Sequence, residues 1–426
     1  MYDYLKLTLI LDTMLTSIMD HLEQPEILEA MYQQNKSAFE KEFEIQYPLH
    51  KENKVFQFWH ARIHYKSNSL QLGSKQEIVF IIICSLLAGL VANIPNYTGI
   101  NEETFFSRNI AFIVFPFLSA YYLWKQEKSL FKILLVTLLI IVSATYINLI
   151  PHQKTDSIFL ILIHIPLLLW AILGYAFLGN QTYDTQKRIQ FLRFNGDLIV
   201  TIGIMFLAGV VFTMITFGLF ELINLKIETF YIKNIASWGL AAIPIIANYL
   251  IHNNPSLINK ISPTIAKIFT PLVTLLLLVY LVAVLYTGKS PYSDRNLLIV
   301  FNALLILVMA LILFSVAEME KNKLTNFKLF LLLTLSFITI LINSIALYAI
   351  IHRLLNLGMT PNRLAVLGSN LFIFFNLVIV GVKFFQIIRN NENLDAVETT
   401  IAKYLPVYIV WIVFVSFLLP LLFQFK

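Results

Sequence analysis

Long apolar runs separated by short polar segments dominate the chain after residue 76. A helix needs about 20 mostly apolar residues to cross a hydrocarbon core of about 30 Å. On this pattern we expect an all-α, polytopic transmembrane helical bundle of about eleven spans over residues 71–426. The predicted spans are 77–94, 110–124, 130–150, 158–178, 198–220, 232–251, 265–286, 297–316, 327–351, 364–388 and 404–423.

Residues 1–70 follow a different pattern. The opening segment 4–22 is apolar but is interrupted by Asp12 and has no small-residue cleavage site, so we expect a retained helix. A second helix begins at Pro25, and charged residues occupy its other face. Its apolar positions recur near helical spacing at Ile27, Leu28, Met31, Tyr32, Phe39 and Phe43. The pattern predicts a small cytoplasmic helical module that lies outside the membrane.

The segment 56–66, FQFWHARIHYK, is both aromatic and basic. Such a composition is typical of an interfacial segment that leads into a bilayer. A nucleic-acid site would use the same residue types, but a membrane span begins about a dozen residues later, which favours the interface. We therefore expect no nucleic-acid partner.

Composition agrees with a membrane protein. Hydrophobic residues make up 58% of the chain and charged residues 13%, and the mean hydropathy is +0.74. The formal charge of +6 comes from basic residues dispersed among the loops, which fits positive-inside topology with a cytoplasmic N-terminus. Cys84 is the only cysteine, so cysteines cannot form an internal disulfide, a zinc cluster or an iron–sulfur site. We expect no cofactor and no metal site.

A polar hinge at 352–363 separates two of the longest runs. Gly358 can supply the left-handed residue that ends one helix, Thr360 can cap the next, and Pro361 suits its first position. Arg363 is unexpected, because a cation in the first turn of a helix opposes the helix dipole. Either Arg363 reaches lipid phosphate or water, or Arg353 and Arg363 pair with an anion or with acidic side chains of a neighbouring loop.

The hinge and the loop 286–296 both face outward in this topology. Together they predict an outward polar site, for which we name Asp294, Arg295, Arg353, Thr360 and Arg363.

Residues of intermediate polarity lie inside several predicted spans, namely His164, Asn302, Asn343, Asn370 and Asn376. Hydrogen bonds between helices explain such residues in many bundles. The alternative is a polar cavity among the later helices, with prolines at 166, 244 and 271 bending helices around it. No set of residues with catalytic spacing is present, so we predict no catalytic residues.

The C-terminal part resembles a family of bacterial multi-pass membrane proteins catalogued as domain of unknown function 4153. The resemblance starts at about Ser290 and rests on Ser290-Pro291, Ala346-Leu-Tyr348, Arg353 and Gly358-Met-Thr360-Pro-Asn-Arg363. It implies a helical protein of the bacterial inner membrane and no particular substrate, because the family has no assigned activity.

Three functions fit these features. The first is a non-enzymatic protein of transporter or permease type, in contact with membrane lipids and with a solute or lipid pathway along the later helices. The second is a membrane scaffold or sensor that recruits a cytoplasmic protein through residues 1–70. The third is a membrane-embedded transferase acting on lipid-linked substrates at the outward polar site.

Overall fold

The computed structural model describes residues 18–22, 24–34, 36–63, 73–125, 129–153, 155–222, 225–254, 295–317, 326–390 and 395–425, with a few positions between 270 and 282. These residues are overwhelmingly helical, and no strand occurs among them. The chain divides into two compact units, Met1–Ser69 and Leu70–Lys426.

The N-terminal unit packs three short helices, α1 (Pro25–Gln34), α2 (Lys36–Gln46) and α3 (Lys54–Ile63), around aromatic rings. Phe39 and Phe43 of α2 and Trp59 of α3 are buried, and the ring centroids of Phe39 and Trp59 are 4.9 Å apart. Leu28 is buried in the same cluster, whereas Ile27 is 40% exposed. The apolar face predicted from the sequence therefore forms this core, with Ile27 outside it.

The second unit contains ten longer helices in the described residues. They are α4 (Lys75–Ala92), α5 (Glu102–Lys125, with a 3₁₀ turn at Ile110–Ile113), α6 (Leu130–Leu149), α7 (Asp156–Leu178), α8 (Thr185–Leu222), α9 (Glu228–Asn253), α10 (Arg295–Ala317), α11 (Asn326–Leu357), α12 (Pro361–Asn390) and α13 (Asp395–Leu422).

Nine of these described helices, all but α10, are long and apolar enough to cross a membrane. In α10, the apolar segment with described side chains is Leu304–Ala317, which is shorter than a membrane span. More than half of the predicted span 265–286 lies outside the described residues, so the count of about eleven stays a prediction. The chain is a multi-pass membrane protein built from helices.

Neighbouring helices mostly run antiparallel, which defines two ends of the bundle. Asn253, the last residue of α9, donates from Nδ2 to Oε1 of Glu77 at 3.1 Å, and Lys125 at the end of α5 lies 3.1 Å from the same carboxylate. We call this side, where α4 begins, the A end, and the opposite side the B end. Arg108 at the start of α5 binds the carbonyl oxygen of Ile147 near the end of α6, at the B end.

Contacts of α8 place α10 in the same frame. Thr213, in the last third of α8, and Tyr231, near the start of α9, are hydrogen-bonded at 3.2 Å. Because α9 ends at the A end, its start is at the B end. The last part of α8 is therefore also at the B end, and α8 begins at the A end. Arg193, near that beginning, donates from Nε to the carbonyl oxygen of Ala317 at 2.7 Å. Because Ala317 is the last residue of α10, this helix ends at the A end and begins at the B end. The chain therefore enters the segment 254–294 at one end and leaves it at the other.

Two large apolar clusters form the interior of this unit. One gathers buried residues mainly of α4–α9, and the other mainly those of α10–α13. Trp170 of α7 packs against both clusters. Many apolar side chains on the outside are exposed, such as Leu134, Leu207 and Leu307, as expected for a surface that faces lipid.

Candidate functional site

Three asparagines form a polar layer between α10, α11 and α12. Asn370 donates from Nδ2 to Oδ1 of Asn302 at 2.7 Å. Asn343 donates from Nδ2 to the backbone carbonyl of Asn370 at 3.0 Å. These bonds link three helices inside the bundle and are what the sequence led us to expect of hydrogen bonds between helices.

A second group of polar contacts joins α12 to α13. Asn376 donates from Nδ2 to the hydroxyl of Tyr408 at 2.8 Å, and Tyr404 donates to the carbonyl oxygen of Phe372 at 3.0 Å. Polar contacts therefore continue from the asparagine layer about 9 Å along α12, at 1.5 Å per residue from Asn370 to Asn376.

Two of these asparagines leave their side-chain oxygens unused. Oδ1 of Asn343 and Oδ1 of Asn376 are buried and accept no hydrogen bond from the described residues, although both residues donate through Nδ2. Oγ of Ser336 is also buried without a partner. Ser336, Thr339 and Asn343 lie three and four residues apart, so they share one face of α11. A buried polar atom without a partner costs about 1–3 kcal/mol. These oxygens are therefore among the chemically unexplained atoms of the bundle interior, together with Oγ of Ser119, Nδ2 of Asn248 and Oγ of Ser416 near other helices.

His164 has a different environment. It is buried in α7, two residues before Pro166, and its Nδ1 lies 2.8 Å from the carbonyl oxygen of Leu160 in the same helix. This contact satisfies one ring nitrogen within α7 and does not join His164 to the asparagine layer.

The hinge has the local chemistry that the sequence indicates. Gly358 has φ 78°, which suits glycine at a helix end. Thr360 Oγ1 accepts a hydrogen bond from the backbone N–H of Arg363 at 3.3 Å, so Thr360 caps α12. Pro361 is the first residue of α12.

Arg363 has a role that neither interpretation of the sequence included. Its Nη1 donates to the carbonyl oxygens of Leu357 at 2.8 Å and Gly358 at 2.6 Å. These carbonyls end α11, where the helix dipole is negative and acceptors lack partners. The negative end of α11 therefore offsets the unfavourable position of the cation in the first turn of α12.

The other members of the predicted outward site are only partly described. Arg353 is half-buried on α11, and its Nη1 is buried without a hydrogen-bond acceptor. Arg295 is the first residue of α10, and its side chain is outside the described set. Asp294 lies outside the described residues. The backbones of Arg295, Arg353, Thr360 and Arg363 all lie at the B end.

A buried cluster around Glu77 lies at the A end and was not predicted from the sequence. This carboxylate is 1% exposed and accepts hydrogen bonds from Tyr121 at 2.6 Å, Asn253 at 3.1 Å and Lys125 at 3.1 Å. Ser74, three residues earlier, accepts a hydrogen bond from the Glu77 N–H, and this Ser-x-x-Glu spacing is the signal that marks a helix start in the sequence. Because both oxygens are occupied, the cluster explains how α4, α5 and α9 are held together.

Other arginines also bind the carbonyl ends of helices. Arg108 donates to the carbonyl oxygens of Ile147, Ile150 and Pro151, and Arg193 donates to that of Ala317. Carbonyls in the last turn of a helix lack intrahelical donors. Part of the positive charge of this chain therefore stabilises helix ends.

In the described part of the chain, no three His, Cys, Asp or Glu side chains are grouped in a way that could hold a metal ion. The resemblance of the C-terminal part to the family of domain of unknown function 4153 stays a prediction. No family model, no curated protein and no solved structure matches the chain.

Proposed function

We propose that this membrane protein is of transporter or permease type and that a small polar solute passes between α11 and α12. The observation that carries the proposal is the pair of buried, unpartnered amide oxygens of Asn343 and Asn376. In this proposal the bundle lies in a bacterial inner membrane with a cytoplasmic N-terminus, so that the A end is the cytoplasmic end.

Packing alone does not account for these two oxygens. Each asparagine holds a neighbouring helix through the hydrogen bond that its Nδ2 donates. Its Oδ1, however, is left in an apolar interior, where no lipid group can donate a hydrogen bond to it. A polar group without a partner is expensive in such surroundings, and a solute or water that donates a hydrogen bond removes the cost. The two amide oxygens can thus accept hydrogen bonds from a solute at successive positions along the interface between α11 and α12.

The test measures water access with cysteines. The background variant is Cys84→Ser, which removes the only native thiol. Asn343→Cys and Asn376→Cys are compared with Leu335→Cys and Leu377→Cys, because both leucines are 0% exposed and lie on the same two helices. The protein is reconstituted in liposomes and treated with a small, water-soluble methanethiosulfonate.

We expect both asparagine positions to react at least about tenfold faster than the leucine positions. Equal, slow reaction at all four positions, with a correctly folded protein, would show that the interface is dry and would overturn the proposal.

The scaffold alternative has one specific observation in its favour. In the N-terminal unit, Leu49 is 79% exposed and Phe58 is 64% exposed, so both apolar side chains are accessible to a partner. A cytoplasmic partner bound there should be lost with Leu49→Ser and Phe58→Ser, which can be measured by crosslinking in cells. Unchanged crosslinks in both variants would remove this alternative.

A further inference from the structure

Arg353 and Arg363 lie at the same level of an antiparallel helix pair. Ala349 and Ile350 of α11 pack against Val366 and Leu367 of α12. Arg353 follows Ile350 by three residues, and Arg363 precedes Val366 by three residues. Because the helices run in opposite directions, both arginines lie the same distance from this contact, toward the B end.

Arg295 belongs to the same level. Asn302 of α10 and Asn370 of α12 are hydrogen-bonded at 2.7 Å, and both helices begin at the B end and run in the same direction. Arg295 precedes Asn302 by seven residues, and Arg363 precedes Asn370 by seven. Seven residues are nearly two turns and about 10 Å. The backbone of each arginine is therefore on the helix face that carries the bonded asparagine.

The positive charge at this level is not balanced by described carboxylates. Arg363 hydrogen-bonds to two carbonyl oxygens, and neither it nor Arg353 forms an ion pair with an acidic side chain in the described part of the chain. Nη1 of Arg353 is buried and has no acceptor among the residues that the structure describes. The starts of α10 and α12 add the positive ends of two helix dipoles at the same end of the bundle, whereas α11 adds one negative end, which Arg363 already binds.

We infer that the B end of α10, α11 and α12 binds an oxyanion, a phosphate or carboxylate group, through Arg353 with the support of Arg295 and Arg363. A guanidinium presents a planar fork of donors that matches two oxygens of such a group. An oxyanion would supply the acceptor that Nη1 of Arg353 lacks in the described part of the chain and would offset the positive charge of this guanidinium. The group belongs either to a lipid headgroup or to a soluble ion, and this site is independent of the proposed solute pathway.

The experiment uses the full-length protein in nanodiscs of zwitterionic phosphatidylcholine. Binding of inorganic phosphate is followed by calorimetry, and retention of phosphatidylglycerol, added as a fraction of the lipid, is followed by native mass spectrometry. Arg353→Gln is the test variant. The control is Lys403→Gln, because Lys403 is an exposed cation near the start of α13, at the A end.

We expect Arg353→Gln to weaken binding at least about tenfold and Lys403→Gln to leave it unchanged. Phosphate binding lost in Arg353→Gln identifies a soluble oxyanion, and lost retention of phosphatidylglycerol alone identifies a lipid headgroup. The inference is overturned if neither ligand binds, or if the two variants behave alike. Arg295→Gln provides a second variant if Arg353→Gln does not fold, and it should weaken the same binding.

Discussion

Arg363 donates from Nη1 to the carbonyl oxygen of Gly358 at 2.6 Å, so the first turn of α12 closes the end of α11. A second bond reaches the carbonyl oxygen of Leu357 at 2.8 Å. One side chain thus joins the first turn of α12 to the last residues of α11, at a turn where Gly358 and Thr360 already shape the backbone.

Arg363→Ala is expected to loosen this turn. It leaves two carbonyls at the end of α11 without a donor, and the loss should be about 1 kcal/mol, because the site is partly exposed and water replaces part of each bond. Amide exchange at residues 358–364, measured by mass spectrometry, should accelerate in Arg363→Ala and change little in Lys403→Ala. Equal exchange in both variants would contradict a structural role for Arg363.

Gly368 and Gly381 of α12 provide a matched pair for close packing. A Cβ at Gly368 would collide with the indole of Trp411, whose Nε1 donates to Oγ of Ser369 at 2.9 Å and which therefore cannot move freely. At Gly381 the nearest side-chain atom, Cδ1 of Ile340, would lie 3.8 Å from the added carbon, an ordinary contact.

We therefore expect Gly368→Ala to destabilise the bundle by about 1–3 kcal/mol through overpacking. Gly381→Ala should be neutral or stabilising by up to about 1 kcal/mol, because alanine favours a helix. Thermal unfolding in detergent tests both variants side by side. A similar midpoint for the two would show that the indole of Trp411 adapts without cost.

At the hinge, the local sequence was sufficient to predict how one helix ends and the next begins. The left-handed Gly358, the cap by Thr360 and the first-turn Pro361 each follow from a short-range rule. The same rules showed that Arg363 is misplaced for its own helix, but not that it binds the end of the helix before it. Those carbonyl acceptors lie only five and six residues away, so a count of free carbonyls at the end of α11 would have found them.

Partners distant in the sequence could not be predicted. Asn343 and Asn370 were recognised as polar residues inside spans, but which atoms they bind depends on the packing of α10, α11 and α12. Glu77 was overlooked because an acid at the start of an apolar run is ordinary at a membrane interface. Its partners Tyr121 and Asn253 are 44 and 176 residues away, and a single sequence shows no sign of such a pairing.

The Glu77–Lys125 pair should be energetically coupled. Lys125→Met leaves the buried carboxylate without its cation, whereas in a Glu77→Gln background the same change removes a cation that no longer has a carboxylate to pair with. A double-mutant cycle on unfolding should give a coupling of about 1–3 kcal/mol.

The control cycle combines Glu77→Gln with Lys226→Met, because Lys226 is an exposed lysine at the B end. Its coupling with Glu77→Gln should be close to zero. A coupling near zero for Lys125 as well would show that the hydrogen bonds from Tyr121 and Asn253 alone stabilise the carboxylate.

Glu42 makes the stability of the N-terminal unit depend on pH. The side chain is 5% exposed, and burial raises the pKa of its carboxyl from 4.5 to about 7, although a backbone hydrogen bond from Ile18 lowers it. The folded unit therefore keeps the proton at pH values where the unfolded chain has lost it. At acidic pH, Glu42 is protonated in both the folded and the unfolded chain and does not destabilise the fold. The free energy of unfolding then falls progressively as the pH rises from about 4.5 to about 7.

Amide exchange in α2, corrected for the intrinsic pH dependence of exchange, should be slower at pH 5 than at pH 8. Glu42→Gln should exchange slowly at both values, because a neutral amide mimics the protonated carboxyl. Glu52→Gln is the control, since Glu52 is exposed and its replacement should leave the pH difference intact. If Glu42→Gln keeps the pH difference of the unmodified chain, another group governs it, and a raised pKa of Glu42 is not its cause.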